Sequence, residues 1–139
     1  MSSGMGDVPG TKGNPWVLKT TDGTTQFKAF RDPRLDPPAI VVKAEGKELL
    51  FHLRCLNDLD EMLKDRKGWM RLGETAEGRP AAKDTVEAWA RSDSNPVKGW
   101  YGMTSGLRGR FAAYIPPIMV ALDLAEIADN DGHLSMRTK

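Results

Sequence analysis

The stretch NPVKGWYGMTSGLRGRFAAYIPPIMVALDLAEIADNDGHLSMRTK, residues 95–139, decides the fold class of this chain. At its C-terminal end, Leu124–Ala128, the polar turn Asp129-Asn130-Asp131-Gly132 and His133–Arg137 carry a hairpin signature: two short runs joined by a glycine-containing turn. Upstream, Thr104 or Ser105 caps a helix running to Tyr114, with Leu107, Phe111 and Tyr114 on one face. Pro116-Pro117 stops that helix and starts another through Leu122, because proline is tolerated in a first turn, where the amides have no partner. Earlier still, Lys98–Met103 reads as a short strand. Pro80–Arg91 reads as a first helix, with Val86, Trp89 and Ala90 as its apolar stripe. Helix, strand, helix, helix, hairpin is a winged-helix-like order.

Residues 15–73 follow a different pattern. Trp16–Thr20, the turn Asp22-Gly23 and Thr25–Phe30 predict one hairpin. Ala39–Ala44, a turn on Glu45-Gly46-Lys47 and Glu48–Leu53 predict a second. Alternation places Leu49, Phe51 and Leu53 on the core face and Leu50, His52 and Arg54 on the other. A helix follows, capped by Asn57 or Asp58, carrying Leu59, Met62 and Leu63 at helical spacing and stopped by Gly68. Trp69–Gly73 adds a short strand, and Glu74–Arg79 is a polar connection. The expected organisation is a flexible tail over 1–14, an antiparallel sheet plus helix over 15–73, and a winged-helix-like half over 80–139, the last two either separate or one continuous domain. The fold class is α+β.

Composition bounds the function. With 139 residues, 40% of them hydrophobic and 28% charged, the chain is an ordinary globular protein long enough to bury a core. Twenty Lys and Arg against nineteen Asp and Glu leave no global cationic excess, so any nucleic-acid site has to be local. The single cysteine, Cys55, rules out an intramolecular disulfide and fits a reducing cytoplasm. No apolar run has the roughly 18 residues that a membrane span needs, and no secretory leader opens the sequence. The expectation is a cytoplasmic protein without a membrane partner.

The runs TVEAWARSDSNPVKGWYG, residues 85–102, and LRGRFAAYIPPIMVALDLAEI, residues 107–127, resemble a family of small bacterial proteins with no established function. The resemblance covers most of the chain. It implies a single unit of family type and no catalytic or binding residues.

Between Asp93 and Asp123 the only charged residues are Lys98, Arg108 and Arg110, so this region is locally cationic. Gly106 and Gly109 beside a helix start would let backbone amides approach an anion. Together with Trp100 and Tyr101, with Ser105, and with His133 and Arg137 of the hairpin, these residues form the expected binding surface for a protein or a nucleic acid. The third helix, Ile115–Leu122, has no Arg, Lys, Asn or Gln with which to read base edges, which argues against sequence-specific DNA recognition. The reading is a non-enzymatic binding or regulatory module.

The competing reading is a small enzyme or small-ligand-binding protein using His52 and Cys55, a thiol near an imidazole. No oxyanion-hole motif accompanies the pair. No metal site is expected, because two histidines and one cysteine lack paired ligand spacing. The DNDG turn fails the calcium-loop pattern, since Ile127 and Thr138 stand where acidic ligands are needed. Gly102, Gly106 and Gly109 match no phosphate loop, and no cofactor is expected.

Overall fold

The computed structural model describes residues 8–139, and the protein is α+β. Strands β1 (Trp16–Lys19), β2 (Gln26–Asp32), β3 (Ala39–Ala44) and β4 (Lys47–His52) form an antiparallel meander in that order. Helix α1 (Cys55–Arg66) follows. Strand β5 (Met70–Arg71) then joins the C-terminal hairpin β6 (Ala125–Asn130) and β7 (His133–Thr138) in a second sheet, ordered β5-β7-β6. Between them lie a single turn, α2 (Val86–Trp89), and the long helix α3 (Phe111–Ala121).

The hairpins form where alternation and turn chemistry place them. The β3–β4 and β6–β7 turns each put two residues at positive φ, Glu45 (52°) with Gly46 (75°) and Asp131 (55°) with Gly132 (81°). That is the type I′ geometry whose twist matches the flanking strands. Ile40, Val42, Leu49 and Phe51 then point into the core, and one buried cluster takes residues from both sheets and from all three helices. Helix α3 lies against β1 and β6, and α1 against β7. Of the stretch expected as a tail, residues 1–7 lie outside the described residues. Gly10 is anchored: its amide donates to Asn14 O, its carbonyl accepts from the Arg31 amide, and it packs on the Trp16 ring.

The expected helices need correction. The winged-helix order is not shown, because the segment from Pro80 is irregular until Thr85, whose Oγ1 accepts from the Ala88 amide as the cap of α2. Asp84 at φ 59° and the parallel bridge of Arg71 to Thr85 hold the preceding residues out of helix. No helix forms over Ser105–Arg110 either. That segment wraps the 74–77 loop, with the Arg108 amide donating to Glu77 Oε1 and the Arg110 amide to Thr75 O. Helix starts only at Phe111 and runs through Pro116 and Pro117 without a break.

The expected strand at Lys98–Met103 forms no named strand, yet it runs beside β4. His52 N donates to Tyr101 O and Met103 N to Leu50 O, around a bridge of Phe51 to Gly102. Helix α1 begins earlier than expected, with Arg54 at its N-cap. Asp58 is a buried interior residue of that helix rather than its cap.

Candidate binding groove

Side chains from four segments meet at the tip of the β6–β7 hairpin. Thr21 and Asp22 of the β1–β2 turn, Arg71–Glu74, the residues Ala82, Lys83 and Thr85, and Gly132–Leu134 enclose a cleft of about 410 Å³. Beside it, Arg66, Trp69, Asp84, Asn130, Asp131 and Ser135 line a second depression of about 340 Å³, and Arg71 and Lys83 belong to both. Arg71 and Lys83 stand on the rim between the two, and Leu72 and Leu134 are the apolar part of the cleft, called the groove below.

The charges of the groove are unequally committed. Asp22 accepts from Thr20 Oγ1, from the Thr24 amide and from Thr24 Oγ1 at 2.7–3.1 Å, and these bonds, the Thr20 one foremost, hold its carboxyl below the usual range. Glu74 pairs with Arg110 at 2.9 Å. Asp84 takes both arms of Arg66 at 2.7 and 3.0 Å, which lowers its pKa. Arg71 and Lys83, by contrast, have no ion pair and no side-chain hydrogen bond among the described residues, and both are exposed. Asp131, exposed in the second depression, also has no ion pair among the described residues, and Asp22, held by neutral donors, keeps its charge. With Glu74 paired to Arg110, the cleft itself sets Arg71 and Lys83 against Asp22, a balance that favours a single anionic group.

The residues expected to form one surface are dispersed. His133 lines the cleft and is exposed. Arg137 lies on the outer face of β7, over the Trp69 ring at 4.5 Å and 3.3 Å from Glu126. Arg110 lines a different depression with Glu45, Lys47, Gly106 and Tyr114. Trp100 is half-buried, with the Arg91 guanidinium 4.4 Å from its ring centre. Ser105 is exposed on a turn, and Arg108 is half-buried. Tyr101 cannot contact a partner, because it is wholly buried and its hydroxyl donates to Asp58 Oδ2 at 2.8 Å. Burial and the Asp58 carboxylate push its pKa up.

The anion-ready helix start is also occupied. Glu87, buried, accepts from the amides of Phe111 and Ala112 at 3.3 and 2.9 Å and from Arg91 Nη2 at 2.9 Å. The carboxylate thus fills the place at the N-terminus of α3 that an external phosphate would take. Gly109 is required by packing: a Cβ there would lie 2.2 Å from Glu77 N.

Cys55 is fully buried, and desolvation followed by the nearby Asp58 pushes its thiol well up, so it is a core residue rather than a nucleophile. His52 is half-buried edge-on to Tyr101, with its pKa lowered by burial and by Arg54. Among the described residues, no group of three or more His, Cys, Asp or Glu is placed to hold a metal ion, and no helix is long and apolar enough to cross a membrane.

The NPVKGWYG run accounts for much of this packing. Asn95 donates to Trp89 O and Gly99 O and accepts from the amides of Val97 and Gly99, closing the loop that sets Trp100 on Arg91. A family model matches residues 8–139, nearly the whole chain, and its description is Family of unknown function (DUF6855). The chain belongs to DUF6855. No curated protein and no solved structure matches it.

Sequence reasoning found one member of the groove, His133. It passed over Arg71 and Lys83, which lie in a short strand and in a segment read as helix. Nothing local to either residue marks it; only the tertiary arrangement leaves them without partners.

Proposed function

We propose that this DUF6855 protein is a non-enzymatic binding module of the cytoplasm whose contact surface is the groove at the hairpin tip, and that its partner is an acidic segment of another protein. The observation that supports this is the charge balance of the cleft: Glu74 is paired with Arg110, Arg71 and Lys83 have no ion pair among the described residues, and of the lining carboxylates only Asp22, held by neutral donors, stands against them. Electrostatic complementarity of this kind selects partners and speeds encounter. A protein segment suits the groove better than a duplex. The charge is confined to a groove on a protein with a formal net charge of only +1, and eight of the eleven residues of α3 are buried, which leaves no recognition helix. The buried thiol of Cys55 accords with a reducing compartment.

The test is an amide NMR titration with hexaglutamate and, in parallel, with a short mixed-sequence DNA duplex, each at low and moderate salt. Salt-sensitive shifts with hexaglutamate at Arg71–Glu74, Lys83 and Gly132–Leu134 are expected. Stronger shifts at the same amides with the duplex would transfer the role to nucleic acid. No shifts with either ligand at low salt would sink the proposal.

A further inference from the structure

We infer that the cleft between Asp22, Arg71 and Lys83 receives the C-terminus of the partner protein, so that the single anionic group it takes is a chain-terminal carboxylate. The inference rests on the proposed binding role of the groove and names the part of the partner that enters it.

Charge sets the first limit. The fixed charges lining the cleft are Arg71, Lys83 and Asp22, together with Glu74, which Arg110 answers at 2.9 Å. Asp22 keeps its charge, because its donors are two hydroxyls and an amide. The surplus is one positive charge, and the unpaired, exposed Asp131 of the neighbouring depression weakens its pull on anions further. One carboxylate balances this cleft, and a doubly charged group exceeds it.

Hydrogen-bonding groups separate a terminal carboxylate from one on a side chain. Gly73 and Glu74 line the cleft next to Arg71, and their amides donate to no group among the described residues. Gly73 sits at φ 63°. Successive free amides about a left-handed residue are a recurrent receptor for terminal carboxylates. The Arg71 fork and the Lys83 ammonium add charged donors at the same place. Asp22 supplies the complementary acceptor: all three of its donors reach Oδ1, and Oδ2 has no partner among the described residues. A C-terminal residue carries its N–H on the same Cα as its carboxylate, so it offers Asp22 a donor and the cations an anion together. An internal glutamate or aspartate holds its carboxylate on a flexible stem apart from its own amide. Leu72 and Leu134 give the terminal side chain an apolar wall.

A chain end is favoured over a free organic acid by the mouth of the cleft. A small ligand is normally enclosed over most of its surface. Asp22, Arg71, Lys83, Gly132 and His133 all line this cleft and are all exposed, so its polar rim lies open and lets a chain leave toward solvent.

The test uses acetyl-Gly-Ala-Gly-Ala-Gly-Leu as the free acid and as the carboxamide, the carboxamide of acetyl-Gly-Ala-Glu-Ala-Gly-Leu, whose charge is on a side chain alone, and N-acetylleucine as the free small acid. Each is titrated by amide NMR to about 10 mM, which reaches millimolar affinity. The expected result is saturable shifts at Gly73, Glu74, Lys83 and Gly132–Leu134 with the free-acid peptide, at least about tenfold tighter than with the glutamate carboxamide, tighter than with N-acetylleucine, and absent with the uncharged carboxamide. Arg71→Gln and Lys83→Gln, both at exposed positions, should each weaken the free-acid peptide by about tenfold, while Lys98→Gln leaves it unchanged. Asp22→Asn separates acceptor from charge: losing a negative charge should tighten the glutamate carboxamide, while the free-acid peptide loses most of its advantage over it. An advantage undiminished in Asp22→Asn overturns the pairing of Asp22 with the terminal N–H. Equal binding of the glutamate carboxamide to the native protein overturns the inference and leaves the proposed function standing. Equal binding of N-acetylleucine overturns the protein terminus, and binding that survives both glutamine variants overturns the site. If hexaglutamate, the duplex and all these probes leave the groove amides unmoved, both readings fall.

Discussion

Thr21 and Ala113, 92 residues apart, are joined by two hydrogen bonds to one carbonyl: Ala113 O accepts from the Thr21 amide at 3.0 Å and from its hydroxyl at 3.2 Å. The same hydroxyl reaches Ala112 O at 2.6 Å. In an uninterrupted helix these two carbonyls would take the amides of residues 116 and 117, which here are prolines and have none. The β1–β2 turn therefore supplies from outside the donors that α3 lacks. It also forms one wall of the groove, so the Pro-Pro pair positions Asp22 there as well as shaping the helix.

Thr21→Val removes the hydroxyl and leaves Ala112 O without its donor. The expected loss is about 1–2 kcal/mol, read as a drop of roughly 3–8 °C in Tm. Thr21→Ser, which keeps the hydroxyl, should lose less than half as much. Equal losses for both variants would show that the methyl group, and not the hydrogen bonds, holds the turn.

Gly109 and Gly106 stand three residues apart and should respond differently to alanine. A Cβ at Gly109 meets backbone on the facing loop, 2.2 Å from Glu77 N and 2.6 Å from Ala76 C, and that loop is itself fixed by the Arg110 amide on Thr75 O. Gly106 sits at φ 81° with open space around it. Urea denaturation should show a loss of about 3 kcal/mol or more for Gly109→Ala, and about 1 kcal/mol for Gly106→Ala from backbone strain alone.

What was legible in the sequence follows from the range of the interactions involved. The two N-terminal hairpins and the β6–β7 hairpin were readable because period-two alternation and the turn residues Glu45-Gly46 and Asp131-Gly132 act within a few residues. The helices were not. Leu107, Phe111 and Tyr114 share helical spacing, yet the backbone before Phe111 is committed to the 74–77 loop, and Glu87 fixes where α3 starts from 24 residues away. The continuity of α3 through Pro116 and Pro117 depends on Thr21, a residue in the opposite half of the chain. The groove was nearly invisible for the same reason, since Arg71 and Lys83 are notable only for what fails to pair with them.

Asn95 uses all of its side-chain amide to fix one loop, with bonds of 2.6 Å to Trp89 O, 2.8 Å to Gly99 O, and 3.0 and 3.3 Å from the amides of Val97 and Gly99. It is buried, so no water replaces these partners without reorganisation. Asn95→Asp keeps the shape but turns two donors into acceptors facing the carbonyls of Trp89 and Gly99. The expected cost is about 3 kcal/mol in urea denaturation, with a red shift in tryptophan emission as Trp100 leaves Arg91. Emission and stability unchanged from the native protein would remove Asn95 from this role.

His52 gives the protein a pH dependence whose sign can be worked out. Burial, followed by the positive charge of Arg54, lowers its folded pKa below the ordinary value of 6.5, so the folded state holds the imidazole neutral. Between that lowered value and 6.5 the unfolded chain binds more protons than the folded one, and stability rises with pH. The contribution is complete above pH 6.5 and is lost as pH falls through the folded pKa. Glu87 acts in the opposite sense: desolvation raises its carboxyl above 4.5, so its contribution is complete below 4.5 and is lost as pH rises through the raised value. Native protein alone therefore mixes the two effects, and the comparison that isolates His52 is native against His52→Gln, with urea midpoints taken from pH 7.5 down to 5. The native midpoint should fall faster than that of the variant below pH 6.5, and the His52 ring proton should titrate with a midpoint below 6.5 by NMR. A ring midpoint at or above 6.5 would show that the face of β4 carrying His52 is solvated and that Tyr101 does not shield it.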